Sequence, residues 1–114
     1  MSLEEYFGGR SSLERAIFDA VSSHLEDIGD IVVEAVGVGI FFKRVRTFAE
    51  LRPMRNRVRL WVLLSRRLDG HPRIGRTYHG AGVRSAYSID LRDPSEIDEE
   101  VRDWLTEAYL TSPE

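Results

Sequence analysis

Ten arginines lie between Arg44 and Arg76 (Arg44, Arg46, Arg52, Arg55, Arg57, Arg59, Arg66, Arg67, Arg73 and Arg76), with Phe41, Phe42, Phe48, Trp61 and Tyr78 interleaved among them. A guanidinium makes forked hydrogen bonds to phosphate or carboxylate. An aromatic ring offers a face on which a base can stack. Alternated on one side of an open sheet, the two residue types make the kind of surface that holds single-stranded nucleic acid. The same arginines have a plainer use, as partners for acids elsewhere in the chain.

Charge is distributed unevenly along the 114 residues. Residues 1–42 carry two Arg against eight Asp or Glu, a net of −6. Residues 43–92 carry thirteen Lys or Arg against three acids, a net of +10, and residues 93–114 carry one Arg against eight acids, a net of −7. A basic middle between acidic ends has two readings, an anion-binding surface or an electrostatic match inside the fold. The sequence leaves both open. An overall pI near 5.6 weighs against a dedicated nucleic-acid protein.

Other chemistry finds little footing. The chain has no cysteine, which excludes disulfides, thiolate metal sites and a Cys nucleophile. His24, His71 and His79 show neither an i, i+4 pair nor a His-Glu zinc motif. No Gly-x-Ser-x-Gly elbow is present. Gly37-Val38-Gly39 starts like a dinucleotide loop but lacks the third glycine and the following helix, so it reads as a bulge or bend. The acidic runs Glu4-Glu5 and Asp98-Glu99-Glu100 read as solvated faces, without the spacing of a Ca²⁺ loop. The segment Arg76-Thr77-Tyr78-His79-Gly80 is the most site-like local cluster. No catalytic residue, metal ligand or cofactor is expected.

The elements that must position these residues follow from periodicity. A capped amphipathic helix is predicted over 12–28, with Ser11 and Glu14 at capping-box spacing and Gly29 as its stop. Residues 3–7 are predicted to form a short turn that packs Tyr6 and Phe7 on the core. Residues 31–36, 38–44, 57–64 and about 83–91 read as strands, with a weaker one over 47–52 and a hairpin turn at Pro53-Met54-Arg55-Asn56. A last helix over 94–110 opens with Asp93, Pro94 and Glu96 and buries Ile97, Val101, Trp104, Leu105, Ala108 and Tyr109. The fold class is α+β: one domain over 1–114, a five-stranded, mostly antiparallel sheet with both terminal helices on one face. Strand 57–64 sets the two faces, with Val58, Leu60, Val62 and Leu64 toward the helices and Arg57, Arg59, Trp61 and Leu63 away from them.

The run Ile40-Phe41-Phe42-Lys43-Arg44-Val45-Arg46-Thr47-Phe48-Ala49-Glu50-Leu51-Arg52-Pro53, followed by Arg57-Val58-Arg59-Leu60, resembles a bacterial family of domains of unknown function, number 5655, often labelled "predicted transport protein". That family joins an aromatic-basic strand, Asn/Thr-Phe-Ala-Glu, a basic turn and a basic-apolar strand. Its closing acidic helix, ending in Ala-Tyr, is matched by Asp98, Trp104, Leu105, Ala108 and Tyr109. His71-Pro72-Arg73-Ile74 and Asp90-Leu91-Arg92-Asp93 are similar to it as well. The resemblance spans about residues 3–110. The family has no established activity or catalytic residues, so the resemblance implies none here. Its members stand alone or fused to other domains, some restriction-endonuclease-like, which implies a nucleic-acid context by analogy.

Together these readings predict a non-catalytic binding domain that takes an anionic ligand or nucleic acid on its basic, aromatic sheet face. The candidate ligand-binding residues are Lys43, Arg46, Arg52, Arg57, Arg59, Trp61, Arg73, Arg76, Tyr78 and His79, with Arg46, Arg57, Arg59, Arg73 and Arg76 converging on one ligand. The alternative is a protein-protein interaction module that uses the same face to form a homodimer or dock another chain. A small enzyme acting near Tyr78 and His79 is the third reading. No membrane partner is expected, since no segment approaches the roughly 20 apolar residues of a span and the acidic N-terminus lacks a signal-peptide pattern. A cytoplasmic location is expected.

Overall fold

A short helix α1 (Leu3–Phe7) begins the chain in the computed structural model, which describes residues 1–80 and 82–113. The Glu5 N–H donates to Ser2 Oγ and the Ser2 N–H to the Glu5 carboxylate, and this reciprocal cap lets five residues hold a helical turn. The turn buries Tyr6.

Helix α2 (Ser12–Ile28) carries the predicted capping box, with Glu14 N–H donating to Ser11 Oγ. Its buried stripe is Ile17, Phe18, Val21 and Leu25. Gly29 ends it because a Cβ there would overlap the Tyr109 hydroxyl, which donates to the Asp30 carbonyl.

Six strands follow: β1 (Val32–Val36), β2 (Gly39–Lys43), β3 (Thr47–Met54), β4 (Arg57–Leu64), β5 (Thr77–His79) and β6 (Ser85–Leu91). Every pairing is antiparallel and the order is β1-β2-β3-β4-β6-β5. The sheet thus has one strand more than the sequence predicts. The extra strand, β5, is three residues long and exposed throughout. It exists because β6 offers it an edge, and it carries no hydrophobic alternation of its own.

The hairpins also differ from expectation in detail. Gly37-Val38 is a two-residue turn between β1 and β2, and Gly39 is glycine because a Cβ would strike the Leu51 carbonyl. Strand β3 runs on through Pro53 and Met54, leaving only Arg55-Asn56 to turn. Pro53 is tolerated because pairing with β2 starts at Ile40 opposite Leu51, so its missing N–H lies past the end of that strand. Of the bulge or bend predicted at Gly37–Gly39, the bend is present as the Gly37-Val38 turn, and a bulge lies further on, where the pairing shifts between Phe42 and Lys43. There β3 gains an extra residue, Phe48, and Phe48 and Ala49 are both fully buried.

The last helix is divided. Asp93 caps a 3-10 turn (Pro94–Glu96), Ile97 drops into the core, and Asp98 caps afresh by accepting the Val101 N–H before α3 (Glu99–Leu110). Two acids able to cap, five residues apart, give two starts. Helix α3 buries Val101, Trp104, Leu105, Ala108 and Tyr109. His24 Nε2 bonds the Arg102 carbonyl and Thr106 Oγ1 and joins α2 to α3.

One hydrophobic cluster fills the space between these helices and the sheet. The alternation of β4 decides its composition: Val58, Leu60, Val62 and Leu64 are buried, while Arg57, Arg59, Trp61 and Leu63 are half-buried on the other face. Leu64→Ala should therefore cost roughly 2–5 kcal/mol in a denaturant titration. Leu63→Ala, one residue earlier, should cost well under half of that. Equal losses would mean that the two faces are not distinguished as described.

Candidate functional site

The face away from the helices is built by cross-strand register. Glu34 stands opposite Phe41, Phe41 opposite Glu50, Glu50 opposite Trp61, and Trp61 opposite Ser88. One step along, Arg52 is opposite Arg59 and Arg59 opposite Asp90. On the other side of Trp61, Leu63 pairs with Ala86 and Ala86 with Tyr78. The result is a half-exposed apolar band (Phe41, Trp61, Leu63, Ala86, Tyr78) bordered by charges. Glu50, Arg52, Trp61, Tyr78 and Ala86 line an open groove of about 320 Å³ on this face.

The charges on this face are already paired. Lys43 donates to Glu34 at 3.1 Å and Arg52 to Glu50 at 3.0 Å. Arg57 and Arg59 both donate to Asp90, at 2.9 and 2.8 Å, with a second Arg59 bond at 3.3 Å. The Arg59 hydrogen bond, aided by the charges of Arg59 and Arg57, holds the Asp90 carboxyl below its usual range against the opposing effect of partial burial. Four cations thus face three carboxylates, leaving about one net positive charge on this face.

Much of the remaining positive charge goes to the helices. Arg66 donates to both oxygens of Glu107 at 2.8 and 2.9 Å. Arg73 reaches both oxygens of Asp98 at 2.9 Å, Glu100 at 3.4 Å and the Glu96 carbonyl at 3.1 Å. The Arg73 hydrogen bond, with the Val101 N–H, holds the Asp98 carboxyl below its usual range. His71 packs edge-on against Trp104 and bonds Glu100 at 3.1 Å. Arg44 donates to the Tyr109 carbonyl and lies over its ring, a cation at a helix C-terminus where the dipole favours it.

The predicted site residues therefore divide. Lys43, Arg52, Arg57, Arg59, Trp61 and Tyr78 share the uncovered face. Arg73 does not: its guanidinium is committed to the start of α3, so the expected convergence of Arg46, Arg57, Arg59, Arg73 and Arg76 does not form. Arg46 is exposed in the β2–β3 loop, and Arg76 is exposed in the segment before β5, its backbone N–H bonded to Ser88 Oγ. His79 pairs with Ser85, a register position on the helix-side face. Sequence reasoning missed Glu34, Glu50 and Asp90 as members of the face. Their signal was available in the alternation of their strands, because Asp90 falls between buried Ile89 and Leu91.

His79 sits among groups that suggest nucleophilic catalysis by composition. Its Nδ1 lies 2.6 Å from Ser85 Oγ, and its Nε2 lies 3.1 Å from Arg67 and 3.3 Å from Asp69. Arginine can only donate. With its proton on Nδ1 the ring donates to Ser85 Oγ and accepts from Arg67, and with its proton on Nε2 it donates to Asp69 and accepts from Ser85 Oγ. Among the described residues, no group of three or more His, Asp or Glu side chains is placed to hold a metal ion, and no helix is long and apolar enough to cross a membrane.

A family model described as Domain of unknown function (DUF5655) matches residues 3–112, and the chain belongs to that family. No curated protein and no solved structure matches it.

The carboxyls of Asp90 and Asp98 both lie below their unfolded values, so each adds stability at neutral pH. That stability disappears as pH falls from about 4 through their folded values. Asp90→Asn should lower stability by about 1 kcal/mol at pH 7, and the difference from wild type should shrink as the pH is lowered. A gap that stays constant between neutral and acid pH would contradict the pairing described.

Proposed function

We propose that this domain is a non-catalytic interaction module that docks a protein surface on the uncovered face of its sheet, a second copy of the same chain being the partner its charges suit best. The observation that carries this reading is the half-exposed Trp61 band set among charges already paired within one molecule. An apolar centre with a polar rim is the usual anatomy of an interface, and tryptophan is the commonest hot spot. Because both signs are interleaved on the face, two copies can meet about a two-fold axis without net repulsion.

The paired charges also weigh against a polyanion on the same surface. Nucleic-acid affinity comes largely from cations that neutralise phosphates and release counterions. Arg52, Arg57 and Arg59 would have to give up Glu50 and Asp90 to do so. An anionic ligand or nucleic acid is nevertheless the second reading. What favours it is that Arg46, Arg55, Arg76, Arg84 and Arg92 form no ion pair among the described residues. The cysteine-free composition suits a reducing compartment, and we read the domain as cytoplasmic.

Light scattering on the purified chain should report a concentration-dependent dimer. Trp61→Glu should weaken it about 30-fold, the equivalent of a 2 kcal/mol hot spot, while leaving the circular dichroism unchanged. Adding short single-stranded DNA should not compete. A wild-type chain that stays monomeric at high concentration refutes self-docking. Binding of DNA that Arg57→Ala abolishes would favour the second reading.

A further inference from the structure

Arg84 holds a guanidinium that the fold leaves unfinished. Its Nη1 is buried and has no hydrogen-bond partner among the described residues. No carboxylate pairs with it among the described residues. Burial and the nearby charge of Arg46 both hold its pKa below the usual guanidinium value. Buried N–H groups without a partner are rare and costly, and here the cost falls on a charged group beside a like charge.

The topology explains why these two arginines meet. Arg84 immediately precedes β6, whose first residue, Ser85, is opposite Leu64 at the end of β4. Arg46 immediately precedes β3, whose early residue Ala49 is opposite Val62, two residues from the same end of β4. Strands β3 and β6 lie on either side of β4. The two guanidiniums therefore flank one end of one strand, with backbones about 10 Å apart at two strand spacings. Two long side chains can close that distance on a common guest. Arg46 is exposed and in no ion pair among the described residues, and Arg84 is half-buried.

We propose that Arg46 and Arg84 form a binding site for a phosphoryl dianion, as inorganic phosphate or as the phosphomonoester of a small metabolite such as a nucleotide. A tetrahedral oxyanion presents several acceptors, so its oxygens can bridge the guanidiniums of Arg84 and Arg46. Two negative charges neutralise the two arginines together. This site sits at one end of the sheet and does not depend on docking at the uncovered face.

The test is a titration with inorganic phosphate, AMP and adenosine, followed through the side-chain N–H signals of arginine in a ¹⁵N-labelled chain. Phosphate and AMP should shift the Arg46 and Arg84 signals, and adenosine should not. AMP tighter than phosphate assigns the site to a phosphomonoester; equal affinity assigns it to the free ion. Arg46→Gln and Arg84→Gln should each weaken binding by about tenfold, the loss of one charge-assisted contact. Arg46 is exposed, so its variant folds even where Arg84→Gln does not. Arg55→Gln, at an arginine in the β3–β4 turn at the other end of the sheet with no ion pair among the described residues, should change nothing. Phosphate that shifts neither signal, or shifts Arg55 as much as Arg46, or binds Arg46→Gln as well as wild type, overturns the proposal.

Discussion

Asp90 accepts hydrogen bonds from Arg57 and Arg59 across the β4–β6 pairing, and that three-residue contact fixes what each face of the sheet is made of. Side chains alternate with period two, so a slip of one residue between β4 and β6 would turn Leu60 and Val62 to solvent and bring Arg59 and Trp61 to the helices. The hydrophobic pattern alone already penalises that slip heavily. The carboxylate adds a second specification on the opposite face, where Arg59 would otherwise face Arg52 as an uncompensated like charge. Partly exposed ion pairs of this kind contribute on the order of 0–1 kcal/mol each. They do not hold the domain together against unfolding. They decide which charges are left over for a partner.

The separation of charge along the chain is largely cancelled in three dimensions, by two different routes. Arg66 and Arg73 bridge to α3, so the acidic C-terminal helix is tied to the loop after β4 rather than left as a solvated face. Lys43, Arg52, Arg57 and Arg59 are matched by acids on the sheet itself. Of the two readings that composition permits, the internal electrostatic match describes most of these groups. The exceptions lie at the sheet ends and turns, and Arg46 with Arg84 is the case where two exceptions are neighbours. This division gives the uncovered face a nearly neutral, amphipathic character and concentrates unpaired charge elsewhere.

How much of this could be read from sequence depended on whether a signal was local. The Ser11/Glu14 box, Gly29 and the α2 and α3 stripes were legible because capping and helical period act within a few residues. The alternation of Val58 to Leu64 revealed both faces of β4, and with them Trp61, Arg57 and Arg59. Strand β5 was not legible, because Thr77–His79 is organised by the edge of β6 and buries nothing. The break before α3 was hidden by a second good cap, Asp98, within a stretch that reads as one helix. Arg73 was misplaced because a loop arginine shows no sign of whether it turns toward the sheet or toward a helix about 25 residues later. Nor does sequence show that the N–H of Arg84 is buried without a partner.

The two tryptophans lie on opposite sides of the sheet, Trp104 at 3% exposure in the core and Trp61 half-exposed on the uncovered face. Acrylamide quenching of Trp61, isolated as the difference between wild type and Trp61→Phe and followed as the protein is concentrated, tests directly whether that face is an interface. Docking predicts that quenching falls and emission moves to the blue over the concentration range in which dimers form. Quenching and emission that stay constant across the whole range would contradict it.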